Sequence, residues 1–269
     1  MLKKIYIALI FLFFGLIFYY HLLKPSNYRD WSIDQAVLPE IIFAENLIGI
    51  KHIRNFAYKS EKEFIPAYYD KTYDLDKLKS VDYIVEPFGN WHGPAHTFLT
   101  FGFNDNNYLA ISIEIRKEKG EYFSALKGLF KNYEIMYVFG DEKDLIKLRT
   151  NYRKDRVYLY HLNLSQNQQK KLLIDMLNRA EKLRKKPEFY NTLTNTCMTN
   201  VIKHLNKVTD KKLPTLNFKV LFPAFSDELF LQAGLISSNM GIIKLRQKSL
   251  INTKAEKLND DADFSLKIR

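Results

Sequence analysis

Ala95-His-Thr-Phe-Leu-Thr-Phe-Gly-Phe103 and Tyr108-Leu-Ala-Ile-Ser-Ile-Glu-Ile-Arg116 flank Asn104-Asp-Asn-Asn107. Two alternating runs around a turn-prone tetrapeptide read as a β-hairpin. Leu99, Phe101 and Phe103 are apolar at alternate positions in the first run, and Leu109, Ile111, Ile113 and Ile115 in the second. Facing residues on antiparallel strands share a face, so odd numbers must pair with odd numbers. A three-residue loop, Asp105 to Asn107, satisfies this with Asn104 opposite Tyr108. His96 then falls opposite Arg116 and diagonal to Glu114, with Ser112 further along the same face. The odd face goes to the core, and the even face gathers His, Ser, Glu and Arg.

Working outward, Val81-Asp-Tyr-Ile-Val85, Tyr133-Glu-Ile-Met-Tyr-Val138 and Arg156-Val-Tyr-Leu-Tyr-His-Leu162 read as further strands. Pro87-Phe-Gly-Asn-Trp-His-Gly-Pro94 is a loop dense in breakers. Asp141 to Tyr152 reads as a helix or turn, with acids early and Arg149 late, as the helix dipole prefers. Ser165 to Lys186 is a helix that Ser165 can cap, with Leu172, Leu173, Met176, Leu177, Ala180 and Leu183 on one face. Cys197 to Val208 is a second helix. Its buried face carries Met198, Val201, Ile202, Leu205 and Val208.

At the amino terminus, Lys3-Lys4 precedes a run free of charge from Ile5 to Tyr20. This layout predicts an uncleaved signal anchor that crosses a membrane once, with the amino terminus inside and the body outside. The expected organisation is residues 1–24 as a transmembrane helix, 25–33 as a linker, 34–240 as the main domain and 241–269 as a polar, flexible tail. A hydrophobic content of 46% excludes wholesale disorder. The formal charge of +11 mildly favours work near anionic lipid. Nothing resembles a nucleic-acid motif, and no cofactor is implied.

Cys197 is the only cysteine, so it forms no disulfide within the chain. Asn195 and Thr196 precede its helix, and either can cap it. In the first turn, the dipole and free N–H groups favour a thiolate and can donate to a developing oxyanion. With His96 as base, the thiol has the makings of a nucleophile. The competing reading is a packed small residue. His92, in the breaker-rich loop, is the rival base. His52, His161 and His204 show no clustered partners. The His92-x-x-x-His96 spacing suits a metal on a helix, but Gly93-Pro94 breaks a helix there, so no metal site is expected.

Ala95–Phe103, Ile111–Arg116, Tyr133–Val138, Leu148-Arg-Thr-Asn-Tyr-Arg153 and Pro187-Glu-Phe-Tyr-Asn-Thr-Leu-Thr-Asn-Thr-Cys197 together resemble the DUF4105 family, also called the Lnb N-terminal periplasmic domain. The resemblance runs from about Asp34 to Val208. It implies an α+β, circularly permuted papain-like (NlpC/P60-like) domain, an antiparallel sheet packed on helices, here preceded by one transmembrane helix. It also implies an extracytoplasmic setting, with the anchor in the inner membrane and the body in the periplasm. Namesake members act as lipoprotein N-acyltransferases. By that likeness Cys197 takes an acyl chain from phospholipid as a thioester and passes it to a lipoprotein amine. His96 serves as base and then acid, Glu114 orients it or pairs with Arg116, and Arg116, Ser112, Asn195 and His92 bind substrate or support the site. The namesakes also carry a membrane region after the thiol domain, and nothing after Val208 reads as a span. Lipid deacylation, a cell-wall amidopeptidase and a non-catalytic anchored binding domain therefore stand beside N-acylation.

Overall fold

The computed structural model describes residues 6, 10, 14, 15, 18, 20–89, 93–259 and 261–269. Among these the strands are β1 (Glu40–Ala44), β2 (Leu47–Arg54), β3 (Ala57–Tyr58), β4 (Phe64–Ile65), β5 (Tyr68–Asp74), β6 (Leu78–Pro87), β7 (Ala95–Phe103), β8 (Tyr108–Arg116), β9 (Glu134–Gly140) and β10 (Tyr158–His161). The helices are α1 (Glu142–Lys147), α2 (Gln166–Lys185), α3 (Cys197–Val208), α4 (Phe218–Leu221), α5 (Ser226–Gln232), α6 (Ile242–Ser249), α7 (Asn252–Lys257) and α8 (Phe264–Lys267), and a π turn spans Leu148–Tyr152.

The main sheet has the order β1-β2-β9-β8-β7-β6-β10, with β5 also on β2. It is mixed rather than purely antiparallel, because β2 meets β9 in parallel at Arg54 and Gly140. A buried ion pair holds that junction: the Arg54 guanidinium donates to both Asp144 oxygens at 2.9 Å.

The β7–β8 hairpin forms, but its loop closes one residue earlier than the sequence suggests. The Phe103 N–H bonds to the Asn107 carbonyl, and Asn106 takes a left-handed conformation at φ 59°. Asparagine tolerates this conformation, which completes a common three-residue hairpin loop. Every facing partner therefore moves by two. Phe98 lies opposite Ser112, and continuing that register brings His96 alongside Glu114, not Arg116. Parity is unchanged, so the faces are as expected.

The odd face carries Leu99, Phe101 and Ile111 into a core shared with α2 and α3. Ser165 caps α2 through a capping box with Gln168, and Leu172, Met176 and Leu177 are fully buried. The even face is covered too. Ile84, Phe98, Ala110 and Met136 pack beneath Ile251, Ala255, Phe264 and Ile268. The segment expected to be a flexible tail is therefore a second core layer. Its few apolar anchors are spread over three short helices, which leaves the composition polar. Arg269 closes this layer, bonding to Asp82 at 2.8 Å and to Glu142 at 2.6 Å.

The expected membrane-crossing helix is not supported. Among the described residues no helix is long and apolar enough to cross a membrane. The expectation rests on the charge-free run Ile5–Tyr20, which His21-Leu22-Leu23 extends toward the length of a spanning helix. Most of that run lies outside the described residues.

Phe264→Ala should lower stability by about 3 kcal/mol, as for other buried aromatics. Urea denaturation measures this, and a change below about 0.5 kcal/mol, typical of surface positions, would mean that the carboxy-terminal helices are not part of the core.

Candidate functional site

Both strands of the hairpin outlast their pairing. β7 begins at Ala95 and β8 runs to Arg116, yet the ladder between them stops at Phe98 and Ser112. Beyond that point Thr97 comes up against the start of α3: its hydroxyl donates to the Met198 sulfur at 3.8 Å, and it lies close enough to Cys197 to act on the thiol. Cys197 occupies the first position of α3. Thr196 caps the helix by accepting from the Thr199 N–H at 3.1 Å, and the Thr199 hydroxyl accepts from the Thr196 N–H at 2.8 Å. Asn195 is not the cap. Its side chain bonds to the Phe189 carbonyl and to Asn200, fixing the turn that leads into the helix.

The even face supplies the polar half. His96 Nε2 lies 2.7 Å from Ser112 Oγ, and that hydroxyl donates to Glu114 Oε1 at 2.8 Å. Glu114 also accepts from Arg149 at 3.1 Å, and Arg149 Nε donates to Glu86 at 2.6 Å. Arg149 and Glu86 are fully enclosed, with side-chain exposures of 3% and 0%. Burial alone would raise the Glu114 carboxyl, but Arg149, His96 and Arg54 outweigh it and hold it well below the usual carboxylate range. For His96, burial acts with Arg149 against the attraction of Glu114, and its pKa falls to about 3.

These contacts fix a tautomer. A serine hydroxyl has one proton, and the ionised Glu114 can only accept. Ser112 gives that proton to Glu114, so its oxygen must accept from His96 Nε2–H. The neutral imidazole then carries its lone pair on Nδ1. Among the described residues nothing hydrogen-bonds to Nδ1, so a base nitrogen is left free.

Cys197 borders two cavities. One, of about 340 Å³, holds the charged groups: Cys197 shares it with His96, Glu114, Glu86, Arg149 and Arg153, beside apolar walls that include Ile113, Ile115 and Phe123. The other, of about 320 Å³, is apolar, with Phe88, Phe123, Tyr190, Leu193, Val220 and Phe222 among its walls. Gly93 is required at its rim. Its φ is +142°, and a Cβ there would come within 2.7 Å of the Phe222 ring. Burial pushes the thiol pKa up, and the hydrogen bonds from Thr97 and the Met198 N–H offset this only in part. The dipole argument for a resting thiolate is therefore outweighed by desolvation. No hydrogen bond joins the thiol to the imidazole; the two groups share a cavity as a neutral pair.

A family model described as the Lnb N-terminal periplasmic domain matches residues 65–227, more than half of the 269-residue chain. The chain belongs to this family. No curated protein and no solved structure matches it. The family's description as a periplasmic domain agrees with the extracytoplasmic placement expected from the sequence. In this member of the Lnb N-terminal domain family the matched segment holds Glu86, His96, Ser112, Glu114, Arg149 and Cys197, whereas the carboxy-terminal cover of the second core lies outside it.

Of the residues singled out from sequence, the structure brings Cys197, His96, Ser112 and Glu114 together. Arg116 lies elsewhere. Its guanidinium donates to the Gln35 and Ala36 carbonyls and to Asn27, and sits 4.4 Å over the Trp31 ring, so it pins the segment before β1 to the sheet. His92 lies outside the described residues. Arg149, Glu86 and Thr97 were missed as site residues. The pair Arg149 and Arg153, four apart at a helix end, was the available signal. His204 does have partners: Asp175 at 2.6 Å on Nδ1 and the Tyr137 hydroxyl at 2.6 Å on Nε2, all between α2, α3 and β9.

The depressed His96 pKa has a pH consequence. The unfolded chain takes up this proton near pH 6.5 and the folded chain only near pH 3. His96 therefore costs no stability above pH 6.5, and stability falls as pH drops toward 3, by up to about 1.4 kcal/mol per pH unit. Nitrogen-edited NMR should show a neutral imidazole protonated on Nε2 down to about pH 4, and a midpoint at the ordinary value of about 6.5 would overturn this assignment.

Proposed function

We propose that Cys197 is the nucleophile of an acyl transfer or deacylation on lipid, with His96 as its base. Ser112 and Glu114 orient the imidazole, and Arg149 keeps Glu114 ionised. The observation that carries this reading is the position of the thiol where an apolar cavity meets the cavity that holds the base and its charged partners. An acyl chain suits the apolar side, which a polar cell-wall peptide would leave empty. The volume lies near the lower end of small-molecule sites, roughly 300–1,000 Å³.

Chemically, Nδ1 accepts the thiol proton, directly or through one water, as the sulfur bonds to the ester carbonyl carbon. The first amides of α3 donate to the oxyanion that forms. Collapse breaks the carbon–oxygen ester bond, and the imidazolium returns its proton to the departing alkoxide. Water or an amine then attacks the thioester and gives its proton to His96. The carbon–sulfur bond breaks and the thiol is restored. An amine acceptor, such as the amino terminus of a lipoprotein, makes the reaction an N-acylation; water makes it a deacylation.

Incubation with phospholipid should leave a hydroxylamine-labile acyl mass on Cys197, seen by intact-protein mass spectrometry. Cys197→Ala should carry none, and His96→Ala should form the adduct about 10²–10⁴-fold more slowly. Lipid turnover that survives in Cys197→Ala would reject the proposal, as would failure of every phospholipid to label a folded thiol.

A further inference from the structure

Phe88, Phe123, Leu193, Leu221 and Phe222 line the apolar cavity, yet each keeps more than a third of its surface in solvent. The apolar surface continues past the cavity mouth. Phe218, 61% exposed, packs on Phe222 with ring centroids 4.8 Å apart. Leu126, next to the cavity-lining Ala125, is 66% exposed. Large apolar side chains gathered at one mouth mark an interaction surface, unlike scattered ones.

The segments that line and adjoin this mouth carry lysines and no acids of their own. Residues 87–104, 122–133, 189–209 and 211–226 contain no Asp or Glu. They contribute Lys127 beside Leu126, Lys131 beside Phe130, and Lys219 beside Phe218. Lys203 reaches the Thr194 carbonyl at 3.0 Å, next to Leu193. Of these, Lys219 pairs with Glu228 at 2.9 Å, and Lys131 donates to the Tyr20 carbonyl at 2.9 Å and sits 4.2 Å over the Tyr20 ring. Aromatic and leucine tips set among lysines complement the headgroup layer of an anionic bilayer.

We infer that this face docks on an anionic lipid surface, with Leu126, Leu193, Phe218 and Phe222 entering the headgroup boundary and the lysines meeting lipid phosphates. Docked this way, the apolar cavity opens toward the acyl region, so a chain enters without crossing water. The inference takes the position of the thiol from the proposed function, but it stands on exposure and charge, and an inert thiol would leave it intact.

The test uses the full chain in a Cys197→Ser background, which removes the only native cysteine. Leu126→Cys, Phe218→Cys and, as control, Leu266→Cys each receive an environment-sensitive fluorophore. Leu266 shares a groove with Asn106 and Asn107 at the hairpin tip. The nine residues of β7 separate that tip from the site, about 30 Å of strand. In phosphatidylglycerol vesicles carrying nitroxide lipid, the two rim labels should be quenched at least about twofold more than the control, and added salt should weaken the difference. Equal quenching at all three positions would overturn the inference. So would a rim signal that depends on protein concentration without vesicles, since that assigns the face to a second copy of the chain.

Discussion

The site depends on one buried cation. Arg149 lies between Glu86 on β6 and Glu114 on β8, and so ties two strands to the π turn that follows α1. Burying such charges is costly unless each is paired and hydrogen-bonded. Here the guanidinium also donates to the Leu145 carbonyl, and its plane sits 5.0 Å over Phe98, so nearly all of its surface has a partner. Removing one member would strand the others. That interdependence sets the charge state of Glu114, which commits the Ser112 proton and then the tautomer of His96.

The second constraint is the parting of β7 and β8 beyond Phe98 and Ser112. A continuous ladder would bind the Thr97 N–H and close the gap. The opening leaves Thr97 beside the start of α3 and lets one cavity collect side chains from both faces of the sheet, Ile113 and Ile115 from one, His96 and Glu114 from the other. Burial then decides the resting chemistry. It raises the thiol pKa and lowers that of the imidazole, so a proton is transferred on attack instead of a preformed ion pair waiting for substrate.

The faces of the hairpin were legible because they rest only on the period of two, which the odd-numbered Leu, Phe and Ile residues display. The register was not. Moving the loop by one residue shifts every partner by two and leaves parity unchanged, so Glu114 and Arg116 are indistinguishable until the left-handed Asn106 is seen. Cys197 was legible as the start of a capped helix, but the choice between Asn195 and Thr196 as its cap was not, because both side chains can accept from the first turn. Arg149 was hidden because a cation late in a helix already has a sufficient explanation in the dipole. The carboxy-terminal helices were hidden because Ile251, Phe264 and Ile268 are too far apart to form a periodic stripe. The partners of His204 come from α2 and β9, which only the tertiary packing brings beside it.

The central claim is that His96 activates Cys197 as a neutral base. The rate of Cys197 alkylation by iodoacetamide from pH 5 to pH 10, in the native protein and in His96→Ala, tests it most directly. The account predicts a thiolate midpoint above the ordinary thiol value of about 8.5, with a reaction near pH 7 that falls when His96 is removed. A rate that reaches its plateau below pH 7 and ignores His96→Ala would contradict it, and so would a thiol that reacts only on unfolding.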